Sequence, residues 1–133
     1  MIKFFIGAKG SGKTKTLIEL VNNAAGASKG SVICIERGDK LRFDITSKAR
    51  LIDTDFYKVD DAEKLSGFIA GILASNSDIT DIFVDSALKI CKDDVPAFEK
   101  LLPELDELCK DINLVMTLSI ATDVCPDSIK AYT

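Results

Sequence analysis

The chain is predicted to be an α/β layer protein, a three-layer sandwich in which helices cover both faces of a small, mostly parallel sheet. Two features of the pattern predict this. Short runs that are apolar on both faces, such as Val32–Ile35 and Leu114–Met116, alternate with longer amphipathic stretches, as buried parallel strands alternate with crossover helices. The chain has 133 residues and no internal repeat, low-complexity tract or Pro/Gly-rich linker, so it is read as one domain over residues 1–133. A third observation agrees with both: 47% hydrophobic and 29% charged residues is the balance of a chain that folds around a core in water.

The elements follow in order. Ile2–Ile6 is apolar and short, hence a strand. Lys13–Ala25 places Leu17, Leu20, Val21 and Ala24 on one face of a helix. After the glycine-bounded turn at 26–30, Ser31–Glu36 is a second buried strand. Leu41–Ile45 and Arg50–Thr54 are shorter candidates that could pair as a hairpin around Thr46–Lys48. Asp60 is placed to cap a helix over Asp61–Ser75, whose apolar set is Leu65, Phe68, Ile69, Ile72 and Leu73. Asp81–Asp85 is the next strand. A helix over Val95–Lys110 uses Phe98, Leu101, Leu102, Leu105 and Leu108, with Pro96 in its first turn and Asp93-Asp94 ahead of it as capping residues. The most apolar segment, Asn113–Ile120, is the last strand, and Pro126 opens a final helical turn towards Tyr132.

Composition removes several chemistries. There is no histidine and no C-x-x-C pair among Cys34, Cys91, Cys109 and Cys125. A zinc finger, a Ser-His-Asp triad and histidine acid-base catalysis are therefore excluded. The cysteines read as buried free thiols in a reducing cytoplasm. Apolar runs stop far short of the ~18 residues of a membrane span, and Met1–Ile6 lacks the features of a secretory signal. Net charge is −4, but residues 1–50 carry ten Lys/Arg against four Asp/Glu. A basic first third suits a phosphorylated small ligand. The acidic whole, and the absence of aromatic residues interleaved with Arg37–Arg50, argue against a nucleic-acid platform.

One segment carries specific chemistry. Gly7-Ala8-Lys9-Gly10-Ser11-Gly12-Lys13-Thr14 matches G-x-x-x-x-G-K-[ST] at every defined position. It follows a predicted strand and opens a predicted helix, which is the context the motif needs. Glycines let backbone N–H groups converge on an anion, and the helix start adds more amides and a partial positive charge. Lys13 can reach the terminal phosphates of a nucleotide, with Lys15 close behind it, and the Thr14 hydroxyl can ligate Mg²⁺. Ile82-Phe83-Val84-Asp85 is an apolar strand ended by an acid, so Asp85 can hold the same ion opposite Thr14. Asp81 lies at the wrong end of that strand. Glu36 ends the second strand, where a carboxylate either orients water or is a solvated terminus. Thr117 and Ser119 either pack in the core or touch the phosphate end of a ligand. Lys89 and Lys92 either face a ligand or stand at the surface.

On these motifs the chain resembles the P-loop NTPase superfamily, with Gly7–Thr14 as Walker A and Ile82–Asp85 as Walker B. Over nearly its whole length, including Gly67–Ala74 and Leu88-Lys89-Ile90, it also resembles a group of short P-loop proteins of Firmicutes that carry ATP-binding or twitching-motility labels. Pilus-retraction ATPases are far longer, and this chain cannot hold their additional domain. The resemblance implies a minimal P-loop fold with strand order 1-4-3-2, counting four main strands, and a site for ATP and Mg²⁺. It implies Lys13 as the catalytic lysine. Residues Gly7 to Lys15 would bind nucleotide, and Thr14 with Asp85 would bind the metal. The partitioning-type extra lysine is missing, because Ala8 stands in its place and Lys9 is one position off. The catalytic glutamate often found beside the Walker B acid is Ser86 here.

The expected function is an ATP-binding protein with slow or partner-activated hydrolysis. Arg37, Arg42 and Arg50 are the arginines near enough in sequence to be considered for phosphate. Two alternatives stay open: a nucleotide-responsive interaction module with negligible hydrolysis, and a small-molecule kinase of thymidine-kinase-like layout. No N-K-x-D motif for reading guanine is present, which favours ATP. With order 1-4-3-2 the first strand is an edge, so a homodimer or protein partner on that edge is expected unless the tail covers it.

Overall fold

The computed structural model describes all residues from Met1 to Thr133. Its centre is a five-stranded, all-parallel sheet formed by β1 (Ile2–Gly7), β2 (Ser31–Glu36), β3 (Ala49–Asp53), β4 (Ile79–Val84) and β5 (Asn113–Ser119), in the order β1-β5-β4-β2-β3. The helices are α1 (Lys13–Ala27), α2 (Ala62–Ser75), α3 (Ala87–Ile90), α4 (Val95–Leu108) and α5 (Asp127–Lys130), with a 3-10 turn at Thr122–Val124. The arrangement is a three-layer sandwich.

The sheet corrects the expected order and the expected hairpin together. The expectation is four main strands ordered 1-4-3-2, with Leu41–Ile45 and Arg50–Thr54 pairing as a separate hairpin. Instead, residues 41–45 form turns, and β3 lies parallel to β2 as a fifth strand at the far edge. The cause is the side chain of Leu41, which is buried against α1 with Ile45 beside it. The segment is used to cover the sheet instead of extending it. At the other edge the C-terminal tail answers β1 from within the chain: Phe4 N–H donates to the Tyr132 carbonyl at 2.9 Å, and Lys3 Nζ to that of Thr133 at 2.9 Å.

Helix starts follow local chemistry. Asp61, not Asp60, caps α2, accepting from Lys64 N–H at 2.7 Å, while Asp60 pairs with the Lys64 ammonium at 2.8 Å. Asp94 caps α4, accepting from Ala97 N–H at 3.1 Å.

In-register neighbours Phe4, Met116, Val84, Ile35 and Ile52 run as one stripe across all five strands. They face the side covered by α2, α3, α4 and α5, where 25 buried residues form the main core. The opposite face carries α1 alone and a cluster of seven, including Leu17, Val21, Cys34 and Phe83. No helix is long and apolar enough to cross a membrane.

Candidate functional site: a glycine loop facing a row of carboxylates

The loop between β1 and α1 takes its shape from its glycines. Gly10 and Gly12 sit at φ 84° and 86°, in the left-handed region that disfavours any side chain. A Cβ on Gly7 would lie 2.7 Å from Ser11 Oγ, so this position also needs the missing side chain. Ser11 N–H closes the loop onto the Ala8 carbonyl at 3.2 Å.

Gly12 then stands at the N-cap of α1 and offers no side chain, and no acid occupies the first turn. The contrast with the capped helices α2 and α4 is chemical: the first amides of α1 are left without a side-chain acceptor, and Lys13 and Lys15 add positive charge where the helix is already positive. Such a helix start is completed by an anion. Lys13 folds back over the loop, donating to the Ala8 carbonyl at 2.9 Å and to Ser11 Oγ at 3.2 Å. Partial burial lowers its pKa, and the nearby Asp85 charge works against that shift.

Asp85 follows β4 directly and faces the loop. Its Oδ1 accepts from Thr14 Oγ1 at 3.1 Å and from Thr117 Oγ1 at 2.9 Å. Thr117 in turn accepts from Ser86 N–H at 2.7 Å. The Thr117 hydroxyl, left open between core and ligand by its sequence, is buried and holds Asp85 in place. Ser119 is exposed on the wall of the cleft. No group of three or more His, Cys, Asp or Glu side chains is arranged to hold a metal ion. The Thr14–Asp85 pair offers one hydroxyl and one carboxylate, a donor set that suits Mg²⁺ completed by phosphate oxygens and water.

Glu36 ends β2, the strand beside β4, so Thr117, Asp85, Glu36 and Asp53 form a polar row along the carboxyl ends of four neighbouring strands, each ~4.8 Å from the next. Glu36 is only 2% exposed, and its Oε2 accepts from Leu41 N–H at 2.9 Å. Burial raises its pKa above the usual 4.5, the Leu41 hydrogen bond opposes this, and the Asp85 charge adds to it. Its carboxylate therefore anchors the 37–41 turn and does not line the open cleft.

The cleft above this row has a volume of about 790 Å³. One wall is the loop with Lys9, Lys13, Thr14 and Lys15; the other carries Lys40, Leu41 and Asp44 after β2, and Lys89 and Asp93 after β4. Of the two lysines that follow Asp85, Lys89 lines the cleft, whereas Lys92 reaches Asp60 at 3.7 Å. Arg37 and Arg42 are engaged at the surface by Asp55 at 3.4 Å and Asp39 at 2.9 Å, and Arg50 lies at a separate apolar pocket under α2. Lys40 was hidden in a region whose sequence signalled only positive charge. All four cysteines are free and buried. Burial pushes Cys34 and Cys91 up to about 12 and Cys109 to about 11, so these thiols stay protonated and unreactive near neutrality.

Compared with models of known protein families and with curated proteins, the chain matches no family model and no curated protein.

Proposed function

We propose that the chain binds a nucleoside triphosphate, ATP in preference to GTP, together with Mg²⁺, and hydrolyses it slowly or only with a partner. The observation that carries this reading is the uncapped, lysine-rich start of α1 set opposite Asp85, to which its Thr14 donates. The loop amides and Lys13 would hold the β- and γ-phosphates, with Ala8, Lys9, Ser11 and Lys15 around them. Thr14 and Asp85 would hold the ion, which when bound would bridge phosphate oxygens and neutralise their charge.

A second reading, a nucleotide-responsive interaction module with negligible turnover, draws on Glu36. Its buried carboxylate is occupied by Leu41 N–H, and a base must come within hydrogen-bond reach of the water it activates. One experiment addresses both. MgATP, MgGTP and MgADP are titrated by calorimetry into the wild-type chain and Lys13→Ala, with phosphate release followed in the same samples. The first reading expects MgATP binding weakened by about 100-fold in Lys13→Ala, since a charge-assisted contact is lost, with slow wild-type phosphate release. Binding without release would select the second reading. Binding that ignores Lys13 would sink both.

A further inference from the structure

The nucleotide reading leaves the residues at one side of the cleft without a role. Along the carboxyl edge of the sheet the order is β1, β5, β4, β2, and the glycine loop with Ser119 occupies the β1–β5 side. Thr14 and Asp85 mark the middle. Beyond them, on the β4–β2 side, stand Lys40 and Asp44 from one segment and Lys89 and Asp93 from another, all lining the same cavity. We propose that this far half is a second subsite, for a small molecule that presents an anionic group to Lys40 and Lys89 beside the end of the nucleotide's phosphate chain. The proposal rests on the nucleotide reading and adds a ligand class to it.

Three observations favour a built site over a chance of surface charge. Lys40 and Lys89 take part in no ion pair, so both ammonium groups are free to meet a ligand in the cavity they line.

The segment that carries Lys40 is also pinned at three places. Glu36 accepts from Leu41 N–H. Asn22 of α1 donates to the Asp44 carbonyl at 2.9 Å and accepts from Thr46 N–H at 2.9 Å. A loop whose only task was to connect β2 to β3 would need none of these ties, which fix where Lys40 starts from.

The backbone around Lys89 is strained. Ser86, Lys92 and Asp93, which flank α3, have φ of 54°, 56° and 57°. Residues other than glycine are seldom held in this region, and those that are gather at functional sites. Asp93 N–H donating to the Leu88 carbonyl at 2.7 Å and Ser86 N–H donating to Thr117 hold that conformation. Asp44 and Asp93 are exposed and unpaired on the same walls, so they can accept from hydroxyl or amino groups next to the ligand's anionic group. The ligand class is a small anion with neighbouring hydrogen-bond donors.

The probe is adenosine 5′-tetraphosphate, whose fourth phosphoryl group extends past the position of the γ-phosphate. Its affinity and that of ATP, both with Mg²⁺, are measured by calorimetry on the full chain. The wild type is expected to bind the tetraphosphate at least about tenfold more tightly than ATP, as one added charge-assisted contact implies. In Lys40→Ala/Lys89→Ala that ratio should fall to about one, and charge-retaining Lys40→Arg/Lys89→Arg should restore most of it. Lys110→Ala, beyond α4, should leave the ratio at its wild-type value. Both lysines are exposed, and thermal melts check that the variants stay folded. A wild-type ratio near one, or a ratio that survives loss of both lysines, would overturn the second subsite while MgATP binding stands. If neither nucleotide binds, or if Lys13→Ala weakens neither, the nucleotide reading falls and the subsite with it.

Discussion

The two faces of the sheet are built for different purposes. On one, four helices close over 25 buried residues, and the strand positions that point there are apolar except Ser31 and Arg50 towards the rim. On the other, α1 and the turn at Leu41 close a cluster of seven buried residues, and the strands run out into Thr117, Asp85, Glu36 and Asp53. Strand alternation makes the division possible, because neighbouring residues point to opposite faces. Val84 anchors the main core while Asp85, next to it, stands in the cleft. One face supplies most of the buried core, and the other carries polar groups at its strand ends.

The largest effects should come from the main core. Leu105→Ala, at a fully buried position of α4 in the main core, is expected to cost about 3–5 kcal/mol, the upper part of the range for such truncations. Leu17→Ala, equally buried but in the small cluster beside the cleft, should cost about 2–3 kcal/mol, because its surroundings can relax. Urea unfolding of both variants reads the difference, and equal costs would break the comparison.

Next comes Thr117→Val, which keeps the shape but strands Ser86 N–H and releases Asp85. A loss of about 1–3 kcal/mol is expected from the unsatisfied donor. A denaturation midpoint unchanged from wild type would mean that this hydroxyl is only filler.

Glu36 sharpens the contrast through pH. Its folded pKa lies above the ordinary 4.5 because it is buried near Asp85, so between those two values the folded chain holds more protons than the unfolded one. This group's share of stability is therefore present below 4.5 and lost as pH rises through the folded value. Glu36→Gln keeps an oxygen for Leu41 N–H and removes that loss. The variant's stability relative to wild type should rise with pH across the window, measured as the difference between two sets of melts. A flat difference would show that Glu36 titrates normally. The smallest effect belongs to Phe43→Ala: the ring is 86% exposed with Arg42 stacked on it, and a change within about 0.5 kcal/mol is expected.

By itself the sequence determined the alternation of strands and helices, the glycine loop and the candidate pairing of Thr14 with Asp85. These are legible because they rest on local rules: periodicity, glycine backbone freedom, and an acid at the end of an apolar run. It could not decide where Leu41–Ile45 goes, since a short apolar run suits a strand or a packed turn equally, and only the space beside α1 chose the turn. Asp60 and Asp61 were likewise indistinguishable until the direction of the chain entering α2 was fixed. The row of Thr117, Asp85, Glu36 and Asp53, and the meeting of Lys40 with Lys89 across one cavity, were also decided by tertiary structure alone. Those residues come from segments far apart in the chain, and parallel strands are brought side by side by their crossovers and the core beneath them, not by any signal at the residues themselves.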